Sequence, residues 1–590
     1  MSATGAGEDV RRVGRRLFWL LALLFALLAH GYFDNPDAET EFQSARALLR
    51  RGSMALSPTA DDASKAEKAL VAAGHGVMRG RGGEYWSWFG PGHALAMTPF
   101  YAAGTGLAAV FPDVDREAYE ERQATLRMPW KQAVGEEFWA HLVVSFHSPL
   151  FGAGIGLVLF TLLGHLGFGL RTRVAATLLA CLATQLGPET RESMADTTAG
   201  FFLLWAIERG VRIVRGAGTA GARAGLCGRI SASPVTAGLI AGYAFTCRPN
   251  HLLPLAALGL YLLVHGLRRG ERRYWLGYGY ALGFAPFFVA MLGFNAWRFG
   301  SPLEFGYTAG TAQGYWDMNP VHGFILLGLS PGKGVLWFTP LLWLVPTGLR
   351  RLGRERRGEC WLFASVLLLP WLISSKMTGW HSSQAWGCRY LTPGAALLVA
   401  VATAGLLDAL ARRRRRVLES LFVGLCGLSL LWNLGGWATP YRGWFSLMLQ
   451  PRAVETMFPA TVRAGGDPAQ ALFATPRMTP LFGHLAYAWL SVQGEIPGRR
   501  PSLVYGMLAG SRGEEVEVPP IPSWPEDGNM RHFWWRGLAF RFDSGLPYAL
   551  GGVMVVLLAF VGWRLARSVP RAEARDPATE DPTWGSGPRS

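Results

Sequence analysis

Apolar residues in this 590-residue chain gather into long runs separated by short, arginine-rich breaks. A helix needs about 20 apolar residues to cross a bilayer, fewer where flanking arginines can snorkel to the interface. On that measure spans are predicted near 17–32, 138–166, 172–188, 195–213, 235–248, 251–267, 274–297, 334–350, 358–375, 391–410, 416–436 and 546–566. The stretch 235–267 has basic residues on both sides, so it is read as a hairpin of two short spans turning at Cys247-Arg248-Pro249-Asn250. The pattern therefore predicts an all-α polytopic membrane protein of about 12 transmembrane helices.

Two long segments are too polar to span. The first, 33–137, is a large outer loop holding an amphipathic helix around Phe42 to Leu49 and an apolar stretch at 94–110 able to dip into the interface. The second, 437–545, is rich in Pro, Gly, Trp and Arg and shows neither helical nor strand periodicity. It is read as an outer-face loop or small domain. Residues 1–436 form the catalytic membrane region, 546–566 the last span, and 567–590 a Pro/Gly/Ser-rich, disordered tail.

Charge fixes the orientation. The net charge of +16 would suit a nucleic-acid binder, but its arginines sit in the short breaks. Arg11, Arg12, Arg15 and Arg16 precede the first span; Arg268, the stretch Arg350 to Arg357, and Arg412 to Arg416 fill later breaks. Basic loops stay cytoplasmic, so both termini are cytoplasmic, no nucleic-acid partner is called for, and both polar segments face outward. Only five lysines occur, Lys65, Lys68, Lys131, Lys333 and Lys376, all on the outer side of this topology. The six cysteines form no C-x-x-C pair; Cys247 and Cys388, both near the outer face, are close enough in topology to pair, though nothing demands it.

Right after the first span stand four acids, Asp34, Asp37, Glu39 and Glu41. Carboxylates at a membrane mouth are costly unless they bind or move something. Such a group can serve as a general base, a proton relay, a ligand for a divalent cation, or simply the N-cap of the helix that begins beside Asp37. Cations lie on the same side. Lys333, flanked by glycines in Ser330-Pro331-Gly332-Lys333-Gly334, suits a phosphate, with a snorkelling anchor as its bland alternative. Arg389, between Trp386 and Tyr390, can grip phosphate bidentately or sit in an interfacial belt. Arg248 and Arg298 rank next, as phosphate or sugar contacts or as positioned turns. Asp196, at a span end, is placed to pair with Arg191 or to orient an acceptor. No histidine has metal-ligand spacing.

Several of these pieces resemble one family in order. Pro36-Asp37 followed by Ala47-Leu48-Leu49-Arg50 and Gly52 resembles the first outer loop of GT-C class glycosyltransferases, in the branch of protein O-mannosyltransferases and aminoarabinose transferases. Trp88-Phe89-Gly90-Pro91-Gly92-His93 with Thr98-Pro99-Phe100-Tyr101-Ala102 resembles a later part of that loop. Arg191 with Asp196, Thr246-Cys247-Arg248-Pro249, Asn295 to Tyr307 with Ser330 to Gly334, and Trp386-Gly387-Cys388-Arg389-Tyr390-Leu391 continue the series to residue 410. One departure stands out: Ala38 follows Asp37 where the family often has Glu, which weakens a metal role.

The resemblance implies a GT-C-like bundle in the bacterial inner membrane, its active site facing outward. A sugar would pass from a polyprenyl-phosphate donor to a hydroxyl of a glycan, lipid or protein, with inversion. Asp37 would be the base, with Lys333, Arg389, Arg248 and Arg298 on the donor phosphate. Asp34, Glu39, Glu41 and Asp196 would act as supporting or acceptor-side acids. No cofactor is required, a divalent cation aside. The rivals are a transporter or lipid flippase, in which the acids couple protons, and a relative that has kept the fold without catalysis.

Overall fold

The computed structural model describes residues 3–33, 35–74, 76–114, 137–216, 233–268, 274–306, 315–382, 385–413, 415–439, 481, 483–485, 534–535 and 545–573. Asp34 and Tyr307 lie outside the described residues, as does almost all of 437–545.

The chain is an all-helical polytopic membrane protein. Helix α1 (Ala3–Leu28) is followed by α2 (Pro36–Arg51), α3 (Lys65–Ala73), a small antiparallel pair β1 (Val77–Arg79) and β2 (Tyr85–Ser87), and α4 (Pro91–Val110). Then come α5 (Phe138–Ser145), α6 (His147–His165), α7 (Leu170–Leu182), the single turn α8 (Leu186–Glu189), α9 (Ala195–Gly216), α10 (Pro234–Cys247), α11 (Leu252–Arg268) and α12 (Trp275–Phe299). The remainder is α13 (Pro320–Leu329), α14 (Val335–Phe338), α15 (Val345–Gly348), α16 (Arg350–Glu355), α17 (Arg357–Ser374), α18 (Thr392–Arg412), α19 (Arg416–Ala438) and α20 (Leu546–Glu573). Among the described residues six stretches are long and apolar enough to cross a membrane: Phe138–His165, Pro249–Arg268, Trp275–Phe299, Arg389–Arg412, Arg416–Ala438 and Leu546–Pro570. Pro234–Cys247 and Pro320–Leu329 are shorter apolar helices.

The hairpin expected at 235–267 forms: α10 ends at Cys247, a 3-10 turn runs Pro249–His251, and α11 returns. Three expected spans differ. The stretch 334–350 is broken into α14, a 3-10 turn at Pro340–Leu344 and α15, because Pro340 and Pro346 lack the N–H an unbroken helix needs. The span at 172–188 stops at Leu182 and resumes only for the turn ending at Glu189. The first helix ends at Leu28 rather than Tyr32, and there Trp534 and Trp535 donate their indole N–H groups to the Ala26 and Leu27 carbonyls. Those bonds satisfy carbonyls that a helix C-terminus leaves open. At the other extreme α20 continues through Pro570 to Glu573.

Small residues let the backbones close in. Gly238 of α10 lies against the Tyr280 carbonyl, and Gly283 of α12 against the Val235 carbonyl, so a methyl group at either would collide with main chain. Such contacts substitute for the hydrophobic drive that lipid cannot supply. Outside the bundle, α2 is sandwiched rather than surface-bound. Phe42 packs edge-on to Tyr101 of α4 with ring centroids 5.4 Å apart, within a cluster that includes Phe33, Ala38, Met97, Val144 and Met194.

The helix directions gather the polar chemistry at one end of the bundle. Helices α9, α10, α17 and α18 each bring a terminus or its adjoining turn (Asp196, Arg248, Met377, Arg389) to one face. Arg215, Arg357 and Arg412 lie at the opposite ends of α9, α17 and α18. With 22 residues α9 alone separates the two faces by about 33 Å.

Candidate active site

Asp37 owes its freedom to its neighbour. Asn35 caps α2, its side chain accepting from the Asp37 N–H at 2.8 Å, and Pro36 opens the first turn. The bland alternative for Asp37, that it caps the helix, does not hold: the Asn35 side chain is the cap. Asp37 keeps its carboxylate for the cavity, where 27% of the side chain remains exposed.

That cavity is about 310 Å3. Asp37, Arg248 and Arg389 supply its charge; Trp88, Tyr315 and Trp316 are among the aromatic side chains that give it a mostly apolar wall. Arg389 sits in a 3-10 turn, Arg389–Leu391, that launches α18. Its Nη2 donates to Asp37 Oδ2 at 3.0 Å, and its Nε lies 3.6 Å from Asp196 Oδ2. Arg248, turned outward by the break before Pro249, donates from Nη2 to the same Asp196 oxygen at 2.6 Å. Carboxylate and guanidinium thus alternate: Asp37, Arg389, Asp196, Arg248. Asp196 and both arginines are buried, so each charge depends on its neighbours for compensation.

Two arginines flagged by sequence go elsewhere. Arg298 donates to the Ser87 and Phe89 carbonyls at 2.6 and 2.9 Å and to Asn295 at 2.8 Å, clamping the strand-to-helix turn that carries Trp88. Arg191 donates to the Leu28 and Gly436 carbonyls and does not pair with Asp196. Glu39 also leaves the cavity: it faces His141 Nε2 at 3.0 Å and accepts from Gln43 at 2.8 Å, locking α2 to α5. Glu41, one turn after Asp37, is fully inside, and burial pushes its carboxyl well above the ordinary range. Its significance is not visible from the sequence, because nothing in the spacing distinguishes it from Glu39.

Lys333 does not line the cavity. Its Nζ donates to the Ala385 carbonyl, just before the turn that presents Arg389, and burial lowers its ammonium to about 7. In the unfolded chain the same group holds its proton to 10.5. Between about 7 and 10.5 the unfolded state therefore binds more protons, so stability should rise with pH across that window and the cost should be complete below it. Thermal midpoints of the detergent-solubilised protein should climb from pH 7 to 9, and Lys333→Met should lose that climb. Equal slopes in both proteins would contradict the assignment.

Gly90 closes the cavity on one side. A methyl group there would strike the Thr246 carbonyl oxygen, main chain of the turn that carries Arg248. Gly90→Ala should lower stability by about 1–3 kcal/mol, as overpacking against backbone does. A thermal midpoint equal to wild type would show that the turn can yield.

Among the described residues the acids do not build an oxygen cage for a divalent cation. Arg389 stands between Asp37 and Asp196, and Glu39 points to His141; among the described residues no three His, Cys, Asp or Glu side chains converge. Cys247 and Cys388 are both free thiols.

No protein-family model matches the chain. No curated protein matches it either. Among the solved structures similar to it are two membrane enzymes. The apo form of the Archaeoglobus fulgidus oligosaccharyltransferase has a TM-score of 0.37 and 10% identity over 74% of this chain. This chain spans 60% of that enzyme's length. ArnT from Cupriavidus metallidurans, bound to undecaprenyl phosphate, has a TM-score of 0.37 and 13% identity over 86% of this chain and 76% of its own. Likeness at that level says nothing about residues or ligands, so the site has to speak through its own chemistry.

Proposed function

We propose that this chain is a GT-C-type membrane glycosyltransferase that moves a sugar from a polyprenyl-phosphate donor to a hydroxyl acceptor at the outer face of the bacterial inner membrane. The observation that carries the reading is the Asp37–Arg389 contact at 3.0 Å on the wall of a cavity at one end of the bundle. A base and a fixed cation in contact suit a reaction that removes a proton at one point and releases an anion at another.

In this reading Arg389 and Arg248 take the donor phosphate, whose oxygens match the guanidinium fork. Trp88, Tyr315 and Trp316 offer faces for the sugar or the first apolar units of the lipid. Asp37 then accepts the proton of the acceptor hydroxyl as that oxygen attacks the anomeric carbon. The carbon–oxygen bond to phosphate breaks, and the lipid phosphate leaves with the bonding electrons. Asp196 is engaged by two arginines, and with Asp37 acting as the base the reading is a single displacement with inversion. Arg298 and Lys333 act at one remove, by fixing the Trp88 turn and the Ala385–Arg389 turn. In this reading the arginine-rich helix ends lie on the cytoplasmic side, as basic flanks do, and the cavity opens outward.

Binding is tested directly by native mass spectrometry of the protein with undecaprenyl phosphate. Retention by wild type and loss in Arg248→Gln supports the site; equal retention by both removes Arg248 from it.

A further inference from the structure

Glu41 is buried to 2% exposure beneath the cavity, one helical turn from Asp37 on the same face of α2. Its Oε1 has no hydrogen-bond partner among the described residues. The nearest candidate for its other oxygen, His93 Nε2 of α4, is 3.7 Å away, beyond a hydrogen bond. That histidine is already committed. Its Nε2 lies 3.3 Å from the Ser193 carbonyl, which can only accept, so Nε2 carries the proton; its Nδ1 then accepts from the Thr198 hydroxyl at 3.2 Å. Burial first, and then the neighbouring His147, hold its pKa well below the ordinary imidazole range, which disfavours an imidazolium partner for Glu41.

The charged groups that face Glu41 come from every element around it. Asp37 lies on its own helix, Asp196 on α9, Arg248 on the turn after α10 beside the Cys247 thiol, and Arg389 on the turn before α18. Glu189, buried on the far side of Asp196 and Arg389, is itself pushed towards the neutral acid by burial, so without Glu41 the tally is two carboxylates against two guanidiniums, already matched by contacts of 2.6 and 3.0 Å. An ionised Glu41 would make it three against two. The surplus negative charge would sit below the place where an anion has to dock, and it would compete for Arg248. A buried carboxylate with no donor on Oε1 is also the costlier form of the group.

We propose that Glu41 is a positioning residue kept as the neutral acid, limiting the negative charge under the cavity to Asp37 and Asp196 and so leaving Arg248 and Arg389 to the donor phosphate. The inference rests on the proposed donor. Because Glu41 does not itself line the cavity, its effect falls on affinity for the anion rather than on the chemical step.

Two measurements on the full chain test it. The first is the infrared stretch of protonated carboxyls at neutral pH, recorded for wild type and for Glu41→Gln. The second is the affinity of each for undecaprenyl phosphate in lipid nanodiscs. The expected result is that Glu41→Gln removes a protonated-carboxyl band while its affinity stays within about threefold of wild type. An unchanged band, or a loss of affinity of about tenfold in Glu41→Gln, overturns the proposal. Should Glu41→Gln fail to fold, the band is titrated in Glu189→Gln, which removes the other buried acid of raised pKa: its persistence at neutral pH and bleaching at alkaline pH support a neutral Glu41, and its absence at neutral pH overturns the proposal. Failure of wild type to bind undecaprenyl phosphate at all would refute the donor reading instead, with the infrared band still deciding the state of Glu41.

Discussion

Replacing Asp37 by Asn should cut the rate of sugar transfer by about 10²–10⁴-fold, the contribution of a positioned general base. The side chain keeps its size and Asn35 still caps α2, so the fold and the cavity should survive. The donor should bind as well as before or better. In the free protein Asp37 holds Arg389 at 3.0 Å, and a phosphate has to draw that guanidinium away; an amide competes far less. Lost turnover with kept or tightened donor affinity is a combination that a merely structural Asp37 would not give. Steady-state kinetics alongside donor titration reads both numbers. A variant that transfers at the wild-type rate removes Asp37 from the chemistry.

The second large effect belongs to Arg389. It is buried and bridges Asp37 and Asp196, so Arg389→Ala leaves two carboxylates without the guanidinium between them. Removing one partner of a buried pair costs about 3–5 kcal/mol, a large part of a typical margin. That variant should accumulate poorly or unfold at a markedly lower temperature. Arg389→Lys is the informative companion, since it keeps the charge but loses the planar fork. It should fold, and its catalytic efficiency should fall by about 30- to 10³-fold, the equivalent of about 2–4 kcal/mol. The fall should sit mainly in affinity for the phosphate. Wild-type donor affinity in Arg389→Lys would show that a point charge suffices.

How much of this was legible in the sequence depended on whether the signal was periodic or long-range. Apolar length carried the helices, and Cys247-Arg248-Pro249-Asn250 located the hairpin turn because Pro249 cannot continue a helix. The break at Pro340 and Pro346 was equally available but hidden by the apolar run around it. The short pair β1 and β2 escaped because three-residue strands leave too little alternation to notice. Asp37 and Arg389 stood out by motif, 352 residues apart, yet only the fold shows that they touch. Glu39 and Glu41 look alike in the chain. Two positions along a helix is a turn of roughly 200°, so one faces His141 of α5 and the other His93 of α4. Arg298 and Lys333 had the right charge for phosphate, but both donate to main-chain carbonyls, contacts that no sequence pattern announces.

The central claim, that a sugar–phosphate bond is broken here rather than a lipid carried across, turns on one measurement. Polyprenyl-phosphate sugar labelled differently on the sugar and on the phosphate is supplied to membranes containing wild type or Asp37→Asn. With wild type the two labels should part, phosphate remaining in the lipid and sugar appearing on the acceptor, while with Asp37→Asn they should stay together. Labels that cross the bilayer still joined, at the same rate in both proteins, would contradict the account and make the chain a carrier of intact lipid.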